Sequence, residues 1–273
     1  MPELPEVETI ANGLNKRVAG DVIESVWIGS RTQPLKSPAQ EIAKVLEGSR
    51  IERIRRVGKH IVADLTEAKR GHKPKAQWII HLGMTGQMLI AQPENEIKKH
   101  THLIAKLASN KELRFVDPRM FGKLQVVAAE SFKAPGSEPI NADRDHFAKL
   151  FKGRKTPIKS ALLNQALLSG IGNIYADESL FRAGIRPRRR AASLSKNDLT
   201  RLYDAIQEVL AEAIAAGGSS VSDYVDAEGE EGFFQLQHRV YQREGLACLV
   251  CKTPIKRIVI SGRSSHYCPK CQK

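Results

Sequence analysis

The sequence predicts an α+β chain. An N-terminal helix feeds a β-sandwich, a helical domain follows, and a small four-cysteine hairpin closes the C-terminus. Three patterns carry this prediction. The chain opens on one apolar stripe at helical spacing, followed by short β-like runs up to residue 128. The periodicity turns helical after residue 145. All four cysteines fall within the last 26 of 273 residues. The expected organisation is a sandwich over 1–130, a hinge over 131–145, a helical domain over 146–235 and the hairpin over 236–273.

Each element has its own signal. Val7, Ile10, Leu14 and Val18 place one apolar face on a helix over 3–18, with Pro5 in the first turn and Gly20 at the exit. The runs 51–57, 60–65, 78–90, 102–107, 113–117 and 123–128 read as strands, and their spacing suits a sandwich or barrel. Residues 130–145, rich in Pro, Gly, Asp and Asn, read as the hinge. Helices are expected over 145–152, 158–168, 175–183 and 195–216. The last opens on Ser195 and Asp198 as a capping box, buries Leu199, Leu202, Ile206, Leu210 and Ile214, and stops at Gly217-Gly218. Residues 217–235 are polar and glycine-bearing, a loop.

Composition narrows the function. The 43 Lys and Arg against 30 Asp and Glu leave a formal charge of +13. No run of 18 apolar residues exists, which speaks against a membrane span. The start Met1-Pro2-Glu3-Leu4-Pro5-Glu6 has no basic region followed by an apolar one, so no secretory signal is expected. A cytoplasmic chain with this charge suits a polyanion, nucleic acid foremost. From Arg239 to Lys273, eight Lys and Arg face a single Glu, a density that fits phosphate contact. The Arg186–Arg190 run is either a solvated basic turn or a further phosphate contact.

Cys248, Cys251, Cys268 and Cys271 form two C-x2-C pairs separated by sixteen residues, the spacing of a zinc ribbon. Residues 255–260 read as a strand and Ser261-Gly262-Arg263-Ser264 as its turn. Two disulfides suit a reducing compartment poorly. Four thiolate ligands close the coordination shell, so one structural zinc ion is expected.

The N-terminus has a chemistry of its own. Removal of Met1 would expose the secondary amine of Pro2, and an α-amino group titrates at about 7.7–8.0. Its neutral fraction can attack a carbonyl-like carbon. Glu3 stands beside it and Glu6 one turn on, placed to move protons. Helix capping alone also accounts for acids and prolines here.

Several blocks, in order along the chain, resemble the formamidopyrimidine-DNA glycosylases, the bacterial 8-oxoguanine repair enzymes. Pro2–Thr9 resembles the family's start, and Gly58-Lys59-His60 its lysine turn. His81–Gly86 resembles its central strand-turn and Asp117–Gly122 its Arg-x-Phe loop. Leu168–Glu178 resembles its helix-two-turns-helix element, and the four-cysteine ribbon with Arg263 completes the set.

The resemblance implies a bifunctional DNA glycosylase and AP lyase of base excision repair. Pro2 would be the nucleophile at the sugar C1′, Glu3 the acid/base partner and Glu6 its support. Lys59 would contact the lesion's phosphate side and act as general acid in β-elimination; Arg263 would contact phosphates and assist δ-elimination. The damaged nucleotide must leave the stack. Met84, Arg119 and Phe121 would fill the gap, and His100, Arg119, Arg154 and Asn173 would contact DNA. The implied partner is double-stranded DNA containing oxidised purines, met by a cytoplasmic monomer that works on the bacterial nucleoid.

Two departures stand out. Gln242 occupies a position where the family often has glycine, and Thr85 follows Met84 where some members carry an acid, so no lesion contact is transferred to Thr85. The rival readings are an endonuclease VIII-like enzyme for oxidised pyrimidines, whose usual start differs at Leu4, and a zinc-ribbon DNA-binding module without catalysis.

Overall fold

A computed structural model describes residues 1–68, 73–140, 142–221 and 224–273. The chain forms two compact units, 1–133 with 217–232, and 134–216 with 233–273.

The first unit opens with α1 (Leu4–Val18). Val7, Ile10, Leu14 and Val18 are all buried, as the stripe predicts. Two four-stranded sheets follow. One has the order β2-β3-β4-β8, made of Ser49–Val57, His60–Glu67, Pro74–His81 and Lys123–Ala128. The other has the order β1-β6-β7-β5, made of Ile23–Ile28, Thr101–Leu107, Glu112–Val116 and Gln87–Ala91. All strand pairs are antiparallel. The inner faces bury Trp78, Ile61, Leu103 and Phe115, joined by α1.

The run 78–90, expected as one strand, is two. β4 ends at His81 and β5 begins at Gln87, in the other sheet. Glycines make the crossing. Gly83 has φ 60°, and a Cβ on Gly86 would lie 2.3 Å from the Leu82 carbonyl oxygen. β1 and α2 (Ala39–Leu46) carry no clear signal in the sequence. In α2 only Ile42 and Leu46 are buried, too few to show a stripe.

Residues 217–232, grouped above with the helical domain, pack with the first unit. The Ile90 N–H donates to the Ala227 carbonyl at 2.9 Å, and Tyr224 and Ala227 join the sandwich core. Ser222 and Asp223 of this loop, and Asn141 of the hinge, lie outside the described residues.

The second unit holds α3 (Arg144–Phe151), α4 (Ile158–Leu162), α5 (Asn173–Arg182) and α6 (Lys196–Ala215), then the hairpin of β9 (Lys256–Ile260) and β10 (Arg263–Tyr267). The Ser195–Asp198 capping box opens α6 as expected. Leu202, Ile206 and Leu210 are buried, whereas Leu199 and Ile214 are half-buried. α4 stops six residues short of the expected 168 because Asn164 turns the chain. Its side chain accepts the Ala166 N–H at 3.0 Å, and its carbonyl accepts those of Leu167 and Leu168. The hairpin loop is only Ser261-Gly262, both at positive φ, so Arg263 opens β10 instead of sitting in the turn. No helix among the described residues is long and apolar enough to cross a membrane.

Candidate functional site

Pro2 is buried directly before α1. Glu3 caps that helix in a capping box with Glu6, and both carboxylates are almost fully buried. Glu6 Oε2 accepts the Glu3 N–H and its Oε1 accepts the Ser219 N–H, both at 2.8 Å. One carboxylate therefore fixes the backbone beside Pro2 and ties it to the 217–232 segment. Gly218 is required by this contact. Its φ is 84°, and a Cβ there would sit 3.0 Å from Glu6 Cγ and Oε1. The same segment seats the Tyr224 hydroxyl on the Gly217 carbonyl at 2.9 Å. Burial, then the charge of Glu6, raises the Tyr224 pKa, so the phenol stays protonated.

Lys59, also buried, sits in the two-residue loop between β2 and β3, where Gly58 takes φ 60°. Arg56 braces that loop. Its Nε donates to Glu8 of α1 at 2.6 Å and its Nη1 to the Gly58 carbonyl at 3.0 Å. Arg56 is not legible in the sequence, because nothing in the basic strand Ser49–Val57 marks one arginine as inward.

His60 and His81 pair across β3 and β4 with ring centroids 4.9 Å apart. Burial, then the His81 charge, pushes His60 down to about 4. Burial, then Lys59 and Lys123, lowers His81 as well. Both imidazoles are neutral at pH 7. His81 Nδ1 accepts the Gly83 N–H at 3.1 Å, which puts the neutral ring's own proton on Nε2. A second donor thus stands close to Lys59. The sequence shows both histidines beside turns but gives no register to join them.

Met84 and Phe121 are exposed, at 39% and 53%, unlike the core of the same sandwich. The Arg119 guanidinium lies over the Phe121 ring, 5.1 Å from its centroid. His100 is exposed at positive φ on the chain leading into β6. Exposed apolar side chains held on tight turns beside an arginine suit insertion between stacked bases.

In the second unit, Asn173 is the first residue of α5, after Gly172 as cap. Its Nδ2 donates to the Ser264 hydroxyl at 3.3 Å, which sets it next to Arg263 along β10. Buried charges fasten the ribbon here. Lys159 Nζ, fully buried, lies 2.7 Å from Asp177 Oδ1 and donates to the Ser264 carbonyl at 2.6 Å. Asp177 Oδ2 accepts the His266 N–H at 2.8 Å. Arg154 spends its Nε–H on the Leu150 carbonyl at 2.6 Å.

Two of the 186–190 arginines brace the ribbon. Arg186 donates to the Gln272 and Pro269 carbonyls, and Arg188 to that of Val259. Arg189 bonds Asp198, which burial pushes up but Ser195 and Arg189 hold down at about 2. Arg186 and Arg188 stay exposed to solvent while making these bonds, and Arg189 is half-buried.

The four cysteine sulfurs lie within 4.8 Å of one another. The Cys251–Cys268 and Cys248–Cys271 pairs are 3.4 and 3.9 Å apart. A tetrahedral zinc with bonds of about 2.3 Å separates its sulfurs by roughly 3.8 Å, so the donor set fits that ion.

Family models match this architecture segment by segment. The formamidopyrimidine-DNA glycosylase N-terminal domain covers residues 1–124, the formamidopyrimidine-DNA glycosylase H2TH domain 134–225, and the zinc finger found in FPG and IleRS 245–273. The chain belongs to the formamidopyrimidine-DNA glycosylase family. Among its relatives, the formamidopyrimidine-DNA glycosylase of Solibacter usitatus is 47% identical over the whole of both chains. That of Cereibacter sphaeroides is 42% identical, again over both full lengths. The crystal structure of the Thermus thermophilus MutM (Fpg) protein superposes with a TM-score of 0.86 at 38% identity, covering 99% of this chain and 98% of that one. A Lactococcus lactis Fpg in complex with abasic-site DNA superposes at 0.90 with 33% identity, covering 99% of each. The ribbon is thus the zinc finger of a formamidopyrimidine-DNA glycosylase, built for one zinc ion.

Proposed function

We propose that this chain is a bifunctional glycosylase and AP lyase of base excision repair. It removes 8-oxoguanine and formamidopyrimidines from duplex DNA and then cleaves the strand. The buried Pro2, held in front of the Glu3–Glu6 capping box, carries the reading. The Lactococcus lactis relative in complex with Fapy-dG containing DNA and the MutM in complex with carbocyclic 8-oxo-G containing DNA support the substrate class.

After loss of Met1, the Pro2 nitrogen attacks C1′ and the damaged base leaves. Glu3 moves the protons that base departure and sugar opening require. The resulting iminium draws electrons from C1′ and acidifies the C2′ proton. Loss of that proton breaks the C3′–O bond, and δ-elimination breaks the C5′–O bond. Lys59 contacts the lesion's phosphate side and protonates the first leaving group; Arg263 assists the second. Glu6 is a positioning residue, since its carboxylate already holds two backbone N–H groups. His81 presents a neutral N–H to the same phosphate side as Lys59. Met84, Arg119 and Phe121 fill the emptied stack, and His100, Arg154 and Asn173 contact the backbone. One zinc ion on Cys248, Cys251, Cys268 and Cys271 holds the ribbon that presents Arg263. The division of labour is catalysis on the sandwich, phosphate grip on the helical domain and ribbon. The protein acts as a cytoplasmic monomer on the nucleoid.

Borohydride trapping on an 8-oxoguanine duplex tests the mechanism. A covalent protein–DNA adduct is expected, and Pro2→Gly should abolish most of it. No adduct from zinc-loaded protein lacking Met1 overturns the imine. Faster release of thymine glycol than of 8-oxoguanine would assign the chain to the endonuclease VIII-like activity instead.

A further inference from the structure

The two turns that carry the gap-filling side chains meet at one carboxylate. Asp117 is fully buried. Its Oδ1 accepts the Thr85 hydroxyl at 2.6 Å and the Arg119 N–H at 3.3 Å, and its Oδ2 accepts the Gly122 N–H at 2.7 Å. The Thr85 oxygen also accepts the Arg119 N–H at 3.3 Å. The backbone of Asp117 extends the junction. Its N–H donates to the His100 carbonyl at 3.0 Å, and His102 Nε2 is bonded to its carbonyl at 2.9 Å.

Close packing makes the junction stiff. A Cβ on Gly83, at φ 60°, would lie 2.5 Å from Gly122 N and from the Phe121 carbonyl carbon. One on Gly122 would lie 2.6 Å from the Phe115 ring. The backbones of the two turns therefore touch, with no side chain between them. Met120 is held at φ 56°, a conformation unfavourable for a side chain of its size and kept only where surroundings dictate it. A buried carboxylate held by neutral donors is a poor choice for stability alone. It is a good choice for fixing several donors at set distances.

We propose that Asp117, with Thr85 as its strut, is a positioning residue for base extrusion. It locks the Met84 turn to the Arg119–Phe121 turn, so that the three side chains enter the duplex as one rigid wedge. This rests on the gap-filling reading of those side chains. The lock matters when a stacked base must be displaced and matters little when the site is already abasic.

Thr85→Val removes the strut at constant volume, and Asp117→Asn leaves one oxygen where two now accept. Two readouts separate the possibilities. In the free protein, amide exchange should rise together in residues 82–86 and 117–122. In single-turnover assays, Thr85→Val should slow 8-oxoguanine excision about tenfold, the scale of one lost hydrogen bond to a charged group. Cleavage of pre-formed abasic DNA should stay within about twofold, since no base is displaced there. Equal losses on both substrates overturn the proposal, as does unchanged exchange in either turn. Phe121→Ala is the reference. If it excises 8-oxoguanine at full rate, the gap-filling reading fails. If it is slow while Thr85→Val is not, the lock alone fails. Should Asp117→Asn not fold, Thr85→Val still decides.

Discussion

Lys159→Met cuts the buried ion pair that fastens the zinc ribbon to the helices, and the structure sets the size of the effect. Lys159 and Asp177 are both fully buried and 2.7 Å apart. Removing one partner of such a pair costs about 3–5 kcal/mol, because the other charge stays behind in a dry site. Here Asp177 keeps the His266 N–H at 2.8 Å and the Ser265 hydroxyl at 3.3 Å. The loss should therefore fall at the lower end, about 3 kcal/mol. The Ser264 carbonyl also loses the Lys159 donor beside Arg263, so the ribbon strand should loosen. Lys159→Met with Asp177→Leu removes both charges and should be less damaging than the first change alone, giving a coupling of at least about 2 kcal/mol. The assay is urea unfolding followed by far-UV circular dichroism, with zinc release to a chromogenic chelator measured in parallel. Trp27 and Trp78 are the chain's two tryptophans, and both lie in the first unit. Their fluorescence is thus an internal control that Lys159→Met should leave in place. A single-variant loss under about 1 kcal/mol, or additive effects in the double variant, refutes the argument.

Further outcomes follow from the same geometry. Gly218→Ala should lower borohydride trapping several-fold, because the new Cβ meets Glu6 at 3.0 Å; Gly217→Ala, whose Cβ would meet only Gly232 Cα at 3.6 Å, should be milder. His60 titrates at about 4 in the fold against 6.5 when unperturbed, so the unfolded chain takes up a proton first as pH falls. Stability of the first unit, read by Trp78 fluorescence, should hold above pH 6.5 and decline toward pH 4, and His60→Phe should flatten that slope. Chelating zinc should weaken DNA binding while tryptophan emission stays constant; unchanged affinity would remove the ribbon from the phosphates. Arg56→Met should slow strand cleavage more than imine trapping, since Arg56 braces the Lys59 loop at Gly58; equal losses would make its role merely structural.

How far the sequence could be read depended on whether the information was local. The α1 stripe, the Ser195 cap and the cysteine spacing are patterns within a few residues, and all reappear in the structure. The split of 78–90 was hidden because two apolar strands on either side of glycines read as one run. Short, half-exposed elements such as α2 carry too few buried residues to mark a period. The carbonyl bonds of Arg186 and Arg188 are not legible in the sequence, because charge alone does not say which acceptor will receive it.

By itself the sequence determined the class of fold, the zinc ligands and the residues with chemistry to offer. Proline behind an initiator methionine, paired C-x2-C motifs and family blocks are properties of chain order. Tertiary structure alone decided what holds those residues in place. Glu6 reaches Ser219, Lys159 reaches Asp177, and Asp117 reaches Thr85, each across a long stretch of chain. Such pairs have no local period, since burial and backbone register create them only once the sheets and helices have packed.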